Sequence, residues 1–122
     1  MTATNLTLTN AQNSAATNLN SNITHIAVGN DNTTPTTGDT TLGSEDYREA
    51  QFSSNLSNNI VTNDLRLDVT ENNGNTINEA GTFDASSGGN MYTRNLTTSF
   101  AKTSSKEAFY RIKTTFTASD NS

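Results

Sequence analysis

Cysteine and tryptophan are absent from this chain, and proline and histidine occur once each, as Pro35 and His25. Without cysteine there is no disulfide framework, no thiolate metal site and no cysteine nucleophile. Apolar residues are scarce as well, at 30% of the 122 positions, below the share of an ordinary globular chain. No apolar run approaches the roughly 18 residues that a membrane-crossing helix needs. The opening segment, Met1 to Leu8, has neither the basic stretch nor the apolar stretch of a secretory signal, so a soluble product without one is expected. Basic residues are missing up to Arg48, while Asp31, Asp39, Glu45 and Asp46 give that part −4. The rest holds seven basic and eight acidic groups, which brings the chain to −5. An acidic chain without a basic stripe repels phosphate backbones and anionic membranes, so neither direct nucleic-acid binding nor membrane insertion is expected.

What is present in their place is 23 Thr, 19 Asn and 13 Ser. The length fits one domain over residues 1–122, with 1–5 as an N-terminal arm and 118–122 as a polar tail. So few apolar residues build only a thin core, and thin cores are commonly completed by a neighbouring subunit. A homo-oligomer is therefore expected.

The pattern along the chain is one short helix followed by strands and turns. Asn10 is placed to cap a helix through Ala11, Ala15, Ala16 and Leu19, which Asn20, Ser21 and Asn22 then break. Ile23 to Val28 reads as a strand ended by Gly29, and 30–46 as a loop containing Pro35. Tyr47 to Ser53 reads as a strand and Ser54 to Asn59 as a polar turn. In the next strand Leu65, Leu67 and Val69 point one way and Asp64, Arg66 and Asp68 the other. Asn72-Asn73-Gly74 is a turn of residues that tolerate positive φ. Ile77 to Phe83 is a strand with Gly81 as a bulge or close backbone approach. Asp84 to Gly89 is a turn, and Met91 to Phe100 and Ala108 to Phe116 are the last strands. In the final strand Ala108, Tyr110, Ile112, Thr114 and Phe116 share a face. Strands at this spacing, without crossover helices, predict an all-β antiparallel sandwich, immunoglobulin-like or jelly-roll-like, with one short N-terminal helix.

Candidate chemistry is sparse. His25 lies inside a strand, and no Gly-x-Ser-x-Gly elbow accompanies it, so it reads as a packing residue rather than a triad member. Asp64, Arg66 and Asp68 would offer a carboxylate pair only if another strand supplied a cleft; a solvated face with a modest salt bridge is the expectation. Glu45, Asp46, Arg48 and Glu49 read as a mixed-charge strand edge. Asn30-Asp31-Asn32 and Asp39 carry oxygen ligands of the kind calcium takes, but the spacing is not that of an EF-hand and a turn is favoured. Tyr47, Tyr92 and Tyr110 would stack on a host surface glycan if they shared a platform; core packing is favoured. Five Asn-x-Ser/Thr sequons, at Asn5, Asn22, Asn32, Asn55 and Asn95, reflect abundant Asn and Thr. No catalytic, cofactor-binding or metal residue is assigned, no cofactor is expected, and the chain is expected not to be an enzyme.

Some motifs occur in a telling order. Leu8-Thr9-Asn10-Ala11 is followed by Ile23-Thr24-His25-Ile26-Ala27-Val28-Gly29, then Thr34-Pro35, Asp39-Thr40-Thr41-Leu42, Glu45 and Tyr47-Arg48. Asn73 to Ala85, Ser87-Gly88-Gly89, Arg94 and Lys102-Thr103-Ser104 complete the series. Over about residues 6–117 this order resembles a small β-sandwich domain recurring in tail, tail-fibre and baseplate proteins of tailed bacterial and archaeal viruses. Thr82, where an apolar residue is usual, and Asn95 to Ser99 depart from that pattern. The resemblance implies a non-enzymatic virion component in a symmetric oligomer, with other tail or capsid proteins as partners and the tail favoured over the capsid. The short remainder after the domain points to an adaptor subunit. Capsid decoration, a head fibre or a carbohydrate-binding attachment module are the alternatives.

Overall fold

The computed structural model describes residues 6–118; the expected arm at 1–5 and all but the first residue of the expected tail lie outside them. A helix, α1 (Thr9–Asn22), precedes seven strands: β1 (His25–Gly29), β2 (Glu45–Ala50), β3 (Ser53–Ser57), β4 (Ile60–Leu67), β5 (Thr76–Phe83), β6 (Met91–Ala101) and β7 (Ala108–Thr115). They form two antiparallel sheets, ordered β2-β1-β5-β6 and β3-β4-β7. The expected all-β sandwich with one N-terminal helix is thus the observed architecture.

Alternation within strands builds the core. Ile26 and Val28 of β1, Leu65 and Leu67 of β4, Ile77 and Ala80 of β5, and Ala108 and Ile112 of β7 form one buried cluster between the sheets, with Tyr47, Phe100 and Tyr110 packed against it. A smaller cluster of Ala27, Leu42, Phe83 and Met91 lies apart from it. Ala27 follows Ile26 and precedes Val28, so successive β1 residues serve opposite faces of the sheet. Leu42 belongs to the long loop, which therefore folds over the outer face of the four-stranded sheet.

Several local expectations are corrected. α1 starts at Thr9 after Leu8, which makes no side-chain cap, so Asn10 lies in its first turn; Asn20, Ser21 and Asn22 continue the helix instead of breaking it. Docking against β3 and β4 through Ala16, fully buried, supplies what weak helix propensity does not. Ser54 to Ser57, expected to turn, belong to strand β3 (Ser53–Ser57), and only Asn58-Asn59 turns, with φ 54° at Asn58. Its Ser/Asn sequence gives no strand signal, and pairing with β4 overrides composition. Val69 does not continue the inward row: β4 ends at Leu67, and Val69 is 41% exposed. Asp64 is buried rather than solvated. The Asn72–Gly74 turn is as expected, with φ 54° at Asn72 and 88° at Gly74.

Candidate functional site

The most elaborate polar arrangement is where the 30–44 loop crosses the outer face of the four-stranded sheet. Glu79 of β5 is fully buried there. Its carboxylate accepts hydrogen bonds from the backbone N–H of Gly43 (2.8 Å), Ser44 (2.8 Å) and Asp31 (3.1 Å), and from Arg94 Nε (2.9 Å). Arg94 of β6, its side chain 5% exposed, also donates to the Thr33 carbonyl at 2.8 Å. Asp31 and Asp39 complete its surroundings, each 3.4 Å away. A buried charge is tolerated when paired and fully hydrogen-bonded, and this pair meets both conditions. A Cβ on Gly43 would fall on the Asp31 carboxylate, and one on Gly29 would meet the Ser44 carbonyl. The loop seats on Glu79 only because both positions lack a side chain.

Asp31 and Asp39, the expected calcium-type ligands, do come together, but the cation between them is the Arg94 guanidinium. Each also closes a local turn. Asp31 accepts from Thr33 Oγ1 (2.9 Å) and Thr33 N (3.2 Å); Asp39 accepts from Thr36 N (3.0 Å) and Thr36 Oγ1 (2.9 Å). These Thr33 and Thr36 hydrogen bonds, with Arg94 adding to them, hold both carboxyls below the usual aspartate range. Among the described residues no group of three or more His, Cys, Asp or Glu is placed to hold a metal ion. Beside the clamp lies an open polar cavity of about 380 Å³, lined by Thr33, Thr36, Asp39, Thr41, Leu42 and Arg94 among others.

A second cluster ties β2 to the β4–β5 connection. The Tyr47 hydroxyl donates to Glu71 Oε2 at 2.7 Å and approaches Glu49 Oε2 at 3.3 Å. Glu71 Oε1 accepts the Asp68 backbone N–H at 2.8 Å. Burial, then the hydrogen bond to Glu71 and its charge, push the Glu49 carboxyl up to about 7. The same hydrogen bond holds Glu71 below the usual glutamate range. The pair therefore shares one proton across neutral and mildly acidic pH. Sequence reasoning missed this pair because 22 positions separate its members and only the fold brings them together.

The remaining candidates are dispersed. His25 Nδ1 lies 2.8 Å from Thr24 Oγ1, its one side-chain hydrogen-bond partner among the described residues. Asp64 is held by Arg111 Nε (2.9 Å) and Ser53 Oγ (2.8 Å), with Arg111 holding its carboxyl low. Arg66 pairs instead with Glu107 at 3.0 Å, and Asp68 caps the turn through Thr70. The three residues do not make a carboxylate pair. Arg48 is not a solvated edge charge: 6% exposed, it lies 3.7 Å over the Phe83 ring and donates to the Ala85 and Gly88 carbonyls, both at 2.9 Å. The tyrosines form no common platform, since Tyr47 and Tyr110 pack on the core and only Tyr92 is exposed.

Phe52 and Phe109 are the most exposed aromatics among the described residues, at 59% and 52%. Their rings meet edge to face with centroids 6.4 Å apart. The Arg66 guanidinium lies 5.9 Å from the Phe52 centroid and that of Arg111 5.7 Å from Phe109. With Lys113, two positions beyond Arg111 on β7, three of the chain's seven basic residues flank this aromatic pair on the outer face of the three-stranded sheet. No protein family and no curated protein matches this sequence.

Proposed function

We propose that this chain is a non-enzymatic structural subunit that acts by assembling with copies of itself and with other proteins of a tailed-virus particle. Tail, tail-fibre or baseplate adaptor is the favoured setting, and that setting rests on the order of motifs in the sequence alone. The observation that supports an assembly role is the Phe52–Phe109 pair on the outer face of the three-stranded sheet. Two half-exposed aromatic rings with arginines over them are an unusual use of apolar area in a chain this poor in it. Arg66 and Arg111 are already paired with Glu107 and Asp64, so the apolar rings rather than free charge are what this face offers a partner. Meanwhile the buried Glu79–Arg94 pair is occupied in fastening a loop.

Immunogold electron microscopy of purified particles, with an antibody to this chain, tests the reading. Label at the tail or its fibres supports it, label over the head supports capsid decoration instead, and unlabelled particles overturn both. A glycan-binding attachment module is the second reading, favoured by the open cavity of about 380 Å³ lined with threonine hydroxyls, Asp39 and Arg94. A glycan array without signal, and host attachment unchanged by Thr33→Val or Thr41→Val, would exclude it.

A further inference from the structure

We propose that Asn73 is a deamidation site, and that the buried Lys102 holds it shut while the domain is folded. Asn73-Gly74 and Lys102-Thr103-Ser104, far apart in the sequence, meet in the fold. Of the 19 Asn, only Asn73 precedes a glycine. A glycine leaves its own backbone nitrogen unhindered, so an Asn-Gly step is where an asparagine amide is most readily lost. The Gly74 nitrogen attacks Asn73 Cγ, the Cγ–Nδ2 bond breaks, and ammonia leaves with the Gly74 proton. Water then opens the cyclic imide to aspartate or isoaspartate. The turn cannot exchange this glycine for a bulkier residue, because Gly74 has φ 88°.

Each group that must move in that reaction is hydrogen-bonded in the folded chain. The nucleophile, the Gly74 N–H, donates to the Lys102 carbonyl at 2.9 Å. The oxygen of the electrophile, Asn73 Oδ1, accepts from Lys102 Nζ at 2.8 Å. The leaving group, Asn73 Nδ2, donates to the Val69 carbonyl at 2.8 Å. Lys102 supplies two of these restraints, one from its backbone and one from its side chain. It is fixed in turn, since its own N–H donates to the Asn75 carbonyl at 3.0 Å and continues the β5–β6 ladder past Thr76 and Ala101.

This role accounts for a lysine that is otherwise out of place. Lys102 is 1% exposed, and among the described residues no carboxylate forms an ion pair with it. Its other acceptor is the Thr103 carbonyl at 3.1 Å. A buried ammonium is unfavourable unless its donors are used, and here one of them is aimed at the labile amide. Asn73 itself is exposed, so water reaches the imide once it forms. Conversion is then confined to copies whose β5–β6 end has opened, at the intrinsic rate multiplied by the open fraction. An isoaspartate lengthens the backbone by one carbon beside Gly74, which displaces the N–H that Lys102 accepts and leaves a permanent record of the opening.

Peptide-mapping mass spectrometry of the full chain, incubated in mildly alkaline buffer, tests the proposal. Wild-type Asn73 is expected to keep its amide over a period in which the same chain unfolded in urea loses it. Lys102→Met keeps the aliphatic stem and removes only the ammonium, and is expected to convert Asn73 about tenfold faster than wild type or more. Circular dichroism checks that this variant is folded. A second measurement needs no variant: wild-type conversion in urea below the unfolding transition is expected to rise in step with amide exchange at Gly74. Folded wild type converting as fast as the unfolded chain, or conversion that ignores Gly74 exchange, overturns the proposal. A folded Lys102→Met that converts as slowly as wild type overturns the part assigned to Lys102.

Discussion

Arg94 and Glu79 are each buried only because the other is there. Arg94→Ala leaves the Glu79 carboxylate buried with backbone N–H donors but no cation, and losses of about 3–5 kcal/mol follow when one partner of such a pair is removed. Urea unfolding of Arg94→Ala, Glu79→Gln and the double variant is expected to show a double loss well below the sum of the singles. Additive losses would mean that the two side chains do not act as one clamp. Glu49 carries the second prediction. Its folded pKa of about 7 lies above the ordinary 4.5, so its contribution is full below the ordinary value and is lost as pH rises through about 7. Glu71 is lowered, so the pair loses stability again as pH falls below its ordinary value. Asp31, Asp39 and Asp64 are lowered too and act in the same acid direction. Thermal stability is therefore expected to be greatest between about pH 4 and 5. Glu49→Gln fixes the neutral form and is expected to raise stability at pH 8 by about 1 kcal/mol, after allowing for solvent screening, and to flatten the decline above pH 5. An unchanged pH profile would contradict the shared proton. At this scale the sequence exposed Asp31 and Asp39 as loop carboxylates but not the buried Glu79, which reads as one more polar residue in a strand. What buries it is a loop more than 30 positions away, and the glycines at 29 and 43 were the available clue.

The elements show where composition misleads. β1, β5, β6 and β7 were legible because β-branched or aromatic residues mark them, with glycines at the end of β1 and in the turns before β5 and β6. β3 was not, since Ser53 to Ser57 has the composition of a loop and becomes a strand by pairing with β4. α1 was legible in place but not in length, because its last turn of Asn20, Ser21 and Asn22 is supported by docking rather than by propensity. The β3–β4 connection yields a prediction of its own. Asn58 has φ 54°, a region asparagine visits readily and a β-branched residue does not. Asn58→Gly is expected to leave the melting temperature within a few degrees, while Asn58→Val is expected to cost about 1–3 kcal/mol. Equal melting temperatures for the two variants would show that β3 contributes little to the fold. The 30–44 loop is expected to show slow amide exchange at Gly43 and Ser44, whose N–H groups Glu79 accepts, and fast exchange in Arg94→Ala.

For the whole molecule, the distribution of residues matters more than the thin core. The apolar residues it has are concentrated between the sheets, yet Phe52, Phe109 and Leu96 remain exposed. Phe109→Ser, an exposed change, is expected to alter folding stability by no more than about 0.5 kcal/mol while removing the aromatic pair that the proposed partner surface needs. A large loss of stability would mark Phe109 as a folding residue instead. The two-sheet architecture was readable from strand spacing, but which edges stay open was not, since that depends on strand order, and strand order leaves no local mark in a sequence. An assembly subunit needs open surfaces, and the aromatic face of the three-stranded sheet is one. Sedimentation velocity on the purified wild-type chain over a concentration series tests this account most directly. A discrete oligomer with a defined dissociation constant is predicted, and a lone monomer throughout the series would contradict it.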